Sequence, residues 1–146
     1  MPQKLPPELN QPGNAGPSKL ILIGEDDLDD QELFKEIFDS VQENIQLEFV
    51  SNGMEVIQYL ENCNENLPCL IILDYNMPEL SGADILQRLQ GNPAYDKIPK
   101  IIWSTSGSSI FKEKSIEFGA TAYVIKPSNV TELKEVAHYM LSYCQI

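Results

Sequence analysis

Leu70-Ile71-Ile72-Leu73-Asp74 decides the reading of this chain. Four consecutive aliphatic residues ended by a carboxylate describe a strand buried on both faces that stops where a sheet meets solvent. Strands of this kind belong to parallel sheets covered by helices on either side. The same texture recurs in both directions. Upstream, Leu20-Ile21-Leu22-Ile23 runs into Glu25-Asp26-Asp27, and Gln46 to Val50 alternates like a strand. Downstream, Ile101-Ile102-Trp103 runs into Ser104-Thr105-Ser106, and Ala122 to Ile125 runs into Lys126-Pro127.

Helical spacing fills the intervals. Leu33, Phe34, Ile37, Phe38 and Val41 recur every three or four residues, as do Val56, Ile57 and Leu60 after a turn at Asn52-Gly53. A turn through Pro78 and Gly82 leads to a third helix with Ile85, Leu86 and Leu89, ended by Gly91-Asn92-Pro93. A fourth helix carries Phe111, Ile116 and Phe118 and stops at Gly119. A fifth runs from Asn129, with Glu132 as a capping-box partner, to about Tyr143. Five strands alternating with five helices predict a single α/β domain. Its expected form is a (βα)5 doubly wound, five-stranded parallel sheet, flavodoxin-like, with strand order 2-1-3-4-5.

The domain is expected over residues 19–146. Residues 1–18 hold half of the prolines and two glycines, the composition of a flexible tail. A net charge of −12 argues against nucleic acid as a partner, because phosphate binding needs clustered Lys and Arg. No signal peptide is read at the start, and no apolar segment approaches the ~20 residues of a bilayer span. A cytoplasmic protein with no membrane contact is therefore expected. Cys63, Cys69 and Cys144 follow no metal-ligand spacing, and one histidine, His138, leaves little for a zinc site. Reduced thiols are the expectation.

In open α/β sheets ligands bind beyond the carboxyl ends of the strands. There the sequence places Glu25 and Asp26, then Asp74, then Ser104, then Lys126, on four strands that the expected order makes neighbours. Adjacent strands lie about 4.8 Å apart, so these side chains converge. Clustered carboxylates repel unless a cation relieves them, and oxygen-only ligands favour Mg²⁺, with Mn²⁺ the alternative. A carboxylate nucleophile, a hard cation, a lysine and a hydroxyl make an acceptor for phosphoryl transfer, with Asp74 attacked. Each piece alone has a plainer reading. Glu25-Asp26-Asp27 could be a solvated loop with Asp27 as a helix N-cap, Asp74 a turn residue, Ser104 a cap and Lys126 a surface lysine.

The chain resembles the response-regulator receiver family of two-component signalling. The motifs are Ile-Leu-Ile-Gly-Glu-Asp-Asp (21–27), Ile-Leu-Asp-Tyr-Asn-Met-Pro-Glu-Leu-Ser-Gly (72–82), Ile-Ile-Trp-Ser-Thr (101–105) and Tyr-Val-Ile-Lys-Pro (123–127). The resemblance implies a metal held by Glu25, Asp26, Asp74 and the backbone carbonyl of Asn76, with Asp74 as phosphoacceptor. It makes Lys126 the essential lysine and Ser104 the hydroxyl that moves on activation. Tyr123 stands at the switch aromatic, which is equally read as a half-buried strand residue. Asn76 and Ser106 stand where the family tunes dephosphorylation, and Lys126-Pro127 matches a cis peptide. Three departures are Gly24 before the acidic pair, expected to loosen the end of the first strand, Ser104 in place of threonine, and a segment from Gly91 to Lys97 before the fourth strand that is longer than in chemotaxis-type regulators.

The implied function is a stand-alone phosphoacceptor rather than an enzyme with its own substrate. A histidine kinase or phosphotransfer protein would donate, and an unknown downstream protein would receive the signal. The domain would be a monomer, or a homodimer through the fourth helix, fifth strand and fifth helix. A phosphohydrolase with an aspartyl nucleophile is the rival, but its second carboxylate is replaced here by Asn76, which protonates no leaving group. A receiver that binds partners without phosphorylation is the other, and an electron carrier of flavodoxin type is disfavoured by the acidic turn after the first strand.

Overall fold

A computed structural model describes residues 19–41, 44–63 and 66–144. The expected tail at residues 1–18 lies outside them. The chain alternates β1 (Lys19–Gly24), α1 (Leu28–Val41), β2 (Ile45–Val50), α2 (Gly53–Glu61), β3 (Leu70–Asp74) and α3 (Gly82–Leu89). It continues through α4 (Pro93–Asp96), β4 (Lys100–Ser104), α5 (Ser109–Glu117), β5 (Ala122–Ile125) and α6 (Val130–Leu141), closing with a 3₁₀ turn at Ser142–Cys144. All strand pairs are parallel and the order is β2-β1-β3-β4-β5, as the sequence predicts.

The two-residue period of the strands divides the core in two. Ile21, Ile23, Leu70, Ile72, Ile101 and Trp103 face α1 and α6, meeting Phe34, Phe38, Leu133 and Met140. Leu22, Ile71, Leu73 and Ile102 face the other way, meeting Val56 and Leu60 of α2 and Ile85, Leu86 and Leu89 of α3. Each fully buried aliphatic side chain contributes about 1.5–3 kcal/mol relative to exposure.

Helix starts are set by short polar side chains. Asn52, Ser81, Ser108 and Asn129 each accept a hydrogen bond from the backbone N–H three residues on. Asn52 is thus a cap and Gly53 the first helical residue, rather than a free turn. At Asn129 the Glu132 carboxylate turns to the asparagine side-chain amide. A fuller capping box forms instead between Ser81 and Asp84, whose side chains each accept from the other's backbone.

Four expectations need correction. Ile116 is half exposed, because five residues from Phe111 is roughly 140° around a helix; α5 turns Ser115 inward instead. The residues before β4 form the extra one-turn helix α4, with Asn92 as its cap and Pro93 at its first turn. Gly24 does not loosen β1: it pairs with Val50 and Leu73, and the space a Cβ would take is filled by Met77 Cε at 3.0 Å and Leu73 Cδ2 at 3.2 Å. Lys126-Pro127 is trans, the lower-energy isomer of an X–Pro bond.

The cysteine expectation also fails. Cys69 and Cys144 form a disulfide across 75 residues, with Cα atoms 5.1 Å apart, and Cys63 is free. The pairing is tertiary: Cys69 immediately precedes β3, and the turn after α6 returns Cys144 to that end of the sheet. Nothing in the spacing announces it.

Candidate functional site

The ladder continues past each strand and fixes the site by its backbone. Glu25 N–H donates to Val50 O at 2.9 Å, Tyr75 N–H to Trp103 O at 3.0 Å and Lys126 N–H to Ser104 O at 2.7 Å. Residues one step beyond three strands are therefore held as firmly as strand residues. Gly82 lets the loop after β3 close: its N–H donates to Tyr75 O at 2.8 Å, and a Cβ there would lie 3.0 Å from Asp74 O and 2.9 Å from Ile102 Cδ1.

Carboxylate oxygens of Glu25, Asp26 and Asp74 lie within 4.8 Å of one another. Glu25 and Asp74 are buried, whereas Asp26 is exposed. Lys126 Nζ donates to Glu25 Oε1 at 3.3 Å, Asp74 Oδ2 at 3.1 Å and Asp30 Oδ2 at 3.0 Å. Burial, and then the charge of Asp74, push the Glu25 carboxyl up to about 8, although Lys126 pulls the other way. For Lys126 burial favours the neutral amine, but the bond to Asp30 and the charges of Asp74 and Glu25 outweigh it, so the ammonium is held above the ordinary lysine range. An all-oxygen set this close, in which burial and a neighbouring carboxylate oppose the ionisation of Glu25, suits a hard divalent cation.

The remaining expected residues surround this cluster. Asn76 is exposed and its N–H donates to Asp74 Oδ1 at 3.0 Å. Ser104 is fully buried at the end of β4, and its Oγ accepts from Ser106 N–H at 3.0 Å. Ser106 Oγ accepts from Ser108 N–H at 3.1 Å, while its carbonyl accepts from the Tyr123 hydroxyl at 2.6 Å. Tyr123 is thus half-buried and tied to the loop that follows Ser104. Asp27 caps α1, accepting from Asp29 N–H at 2.8 Å.

Two residues escaped the sequence reading. Asp30, in the first turn of α1, makes the shortest contact to Lys126. The sequence offered no signal for it beyond its place in an acidic run that opens a helix. Lys100, at the start of β4, is buried, donating to Tyr95 O at 2.6 Å and Ile98 O at 2.9 Å. It binds the α4 turn to the sheet at the end opposite the acidic cluster.

Comparison with known proteins agrees with this geometry. Residues 21–138 match the response regulator receiver domain, and the chain belongs to that family. The response regulator Rcp1 of Synechocystis sp. is 26% identical over 133 residues, covering 88% of this chain and 90% of its own. The phosphorylated cyanobacterial phytochrome response regulator RcpA superposes with a TM-score of 0.78 at 26% identity, over 86% of this chain and 92% of that one. The Mn²⁺-bound form of Rcp1 gives 0.75 at 27% identity, over 85% and 92%. The chain is a receiver of two-component signalling, homologous to single-domain response regulators. Receivers are signalling phosphoacceptors, bind Mg²⁺ or Mn²⁺ in an acidic pocket, and work with histidine kinases and phosphotransfer proteins. No helix among the described residues is long and apolar enough to cross a membrane.

Proposed function

We propose that Asp74 is the phosphoacceptor of a stand-alone cytoplasmic receiver comprising residues 19–146, which takes its phosphoryl group from a histidine kinase or phosphotransfer protein. The observation that carries this reading is Lys126 Nζ held 3.1 Å from Asp74 within a three-carboxylate cluster. Glu25, Asp26, Asp74 and the Asn76 carbonyl would hold Mg²⁺, or Mn²⁺. When bound, the cation would neutralise charge on the transferring group.

The chain's own residues supply the rest. One Asp74 oxygen attacks phosphorus as the bond to the donor breaks, and Lys126 pairs with the phosphoryl oxygens. Ser104 exchanges its bond from Ser106 N–H for one to the phosphoryl group. Because Tyr123 hangs from the same loop through Ser106 O, that exchange is relayed to β5. Asn76 and Ser106 flank the acyl phosphate and set its rate of hydrolysis, the self-catalysed step that resets the domain. Exposed Ile110 on α5 and Ile125 on β5 support signalling to a protein target through α5, β5 and α6, as a monomer or a homodimer.

Intact-protein mass after incubation with acetyl phosphate tests the assignment. Wild type with Mg²⁺ gains one phosphoryl group, and neither the metal-free protein nor Asp74→Asn does. Full labelling of Asp74→Asn would refute it.

A further inference from the structure

We propose that Asp30 is a positioning residue that holds Lys126 in the unphosphorylated domain, and that Lys126 must exchange Asp30 for the phosphoryl group during transfer. The inference rests on Asp74 being the acceptor. Three carboxylates share one ammonium, and the contact to Asp30 is the shortest: 3.0 Å, against 3.1 Å to Asp74 and 3.3 Å to Glu25. Asp30 comes from α1, whereas Asp74 and Glu25 continue strands, so it draws Lys126 toward the helix. The indole of Trp103, with its centroid 5.8 Å from Lys126 Nζ, braces the same position. The Asp30 side chain is 29% exposed and that of Lys126 15%, so solvent screens this pair only in part.

The chemistry gives the direction. With acetyl phosphate, an Asp74 oxygen forms the new bond to phosphorus. The bridging P–O bond breaks, its electron pair leaves on acetate, and no proton moves at Asp74. The donor is an anion, and Asp30 keeps one full negative charge beside the cation that must receive it. Removing that charge strengthens the field acting on the donor by an amount worth about three- to tenfold in rate at a partly screened separation of several ångströms. An acidic residue in the first turn also favours the α1 dipole. That role alone predicts a lower melting temperature with unchanged labelling.

The experiment compares wild type, Asp30→Asn, Asp30→Glu and Asp74→Asn. Acetyl-phosphate labelling is followed by intact mass at saturating Mg²⁺, and Mg²⁺ affinity by calorimetry. Asp30→Asn is expected to label several-fold faster, through a lower half-saturating donor concentration, while binding Mg²⁺ more weakly. Asp30→Glu, which restores the charge, is expected to return most of the restraint. Labelling of Asp30→Asn at or below the wild-type rate, with wild type labelled and Asp74→Asn not, overturns the role of Asp30 and leaves Asp74 standing. Absence of labelling in folded, Mg²⁺-loaded wild type overturns both.

Discussion

Glu25 is the residue at which the electrostatics of the site become measurable. Its carboxyl ionises near its ordinary value of 4.5 when unfolded and at about 8 in the fold. Between these values the folded chain binds a proton that the unfolded chain has released, so this group's contribution to stability falls as pH rises from about 4.5 to about 8. In metal-free protein, Glu25→Gln should therefore gain on wild type in melting temperature as pH rises through that window, and Mg²⁺ should narrow the gap. A pH-independent difference would contradict the assignment. Asp74, Lys126, Glu25 and Asp26 were legible in the sequence because Asp74 ends a strand and the others sit one or two residues past one, where periodicity breaks into charge. Asp30 was not, since a helical carboxylate beside Asp29 reads as dipole compensation until the fold shows what it touches.

At the scale of elements, α6 offers a clean test of local coding. At its start, Asn129 Oδ1 accepts from Glu132 N–H at 2.8 Å. Asn129→Ala should cost about 1 kcal/mol, or roughly 2–4 °C in melting temperature, in a thermal scan. No change would mean that packing of Leu133 and Ala137 alone sets the helix. The strands were the most legible part, because β1, β3 and β4 are apolar on both faces and only a covered parallel sheet buries both. Helix α5 was the least legible. Its stripe is the partly buried Phe111, then Ser115 and Phe118, and a serine whose hydroxyl donates back to Phe111 O at 2.7 Å does not register as a core position.

For the whole molecule the decisive unforeseen feature is the covalent link between Cys69 and Cys144. It closes the last half of the chain into a loop around the sheet. Constraining the unfolded chain over 75 residues is worth up to about 4.5 kcal/mol in the chain-entropy account. Denaturant unfolding should show a lower midpoint when the protein is reduced, and Cys144→Ser under oxidising conditions should match reduced wild type. Equal midpoints in both redox states would deny the link any role in stability. Fold class and strand order were legible because they follow from alternation of element types. The cross-link was not, because two cysteines 75 residues apart meet only after every strand between them is in place.

The single tryptophan of this chain stands beside the lysine of the site. Trp103 is buried against Phe34, at 4.9 Å between ring centroids, with the Lys126 ammonium 5.8 Å from its ring centroid. An indole's emission colour and brightness follow the electric field and quenchers around it. The domain therefore carries its own optical reporter: excitation beyond the absorption of its six tyrosines isolates one fluorophore seated next to the Lys126 ammonium. Each redistribution of Lys126 among its partners becomes a change of light, readable in real time without a label.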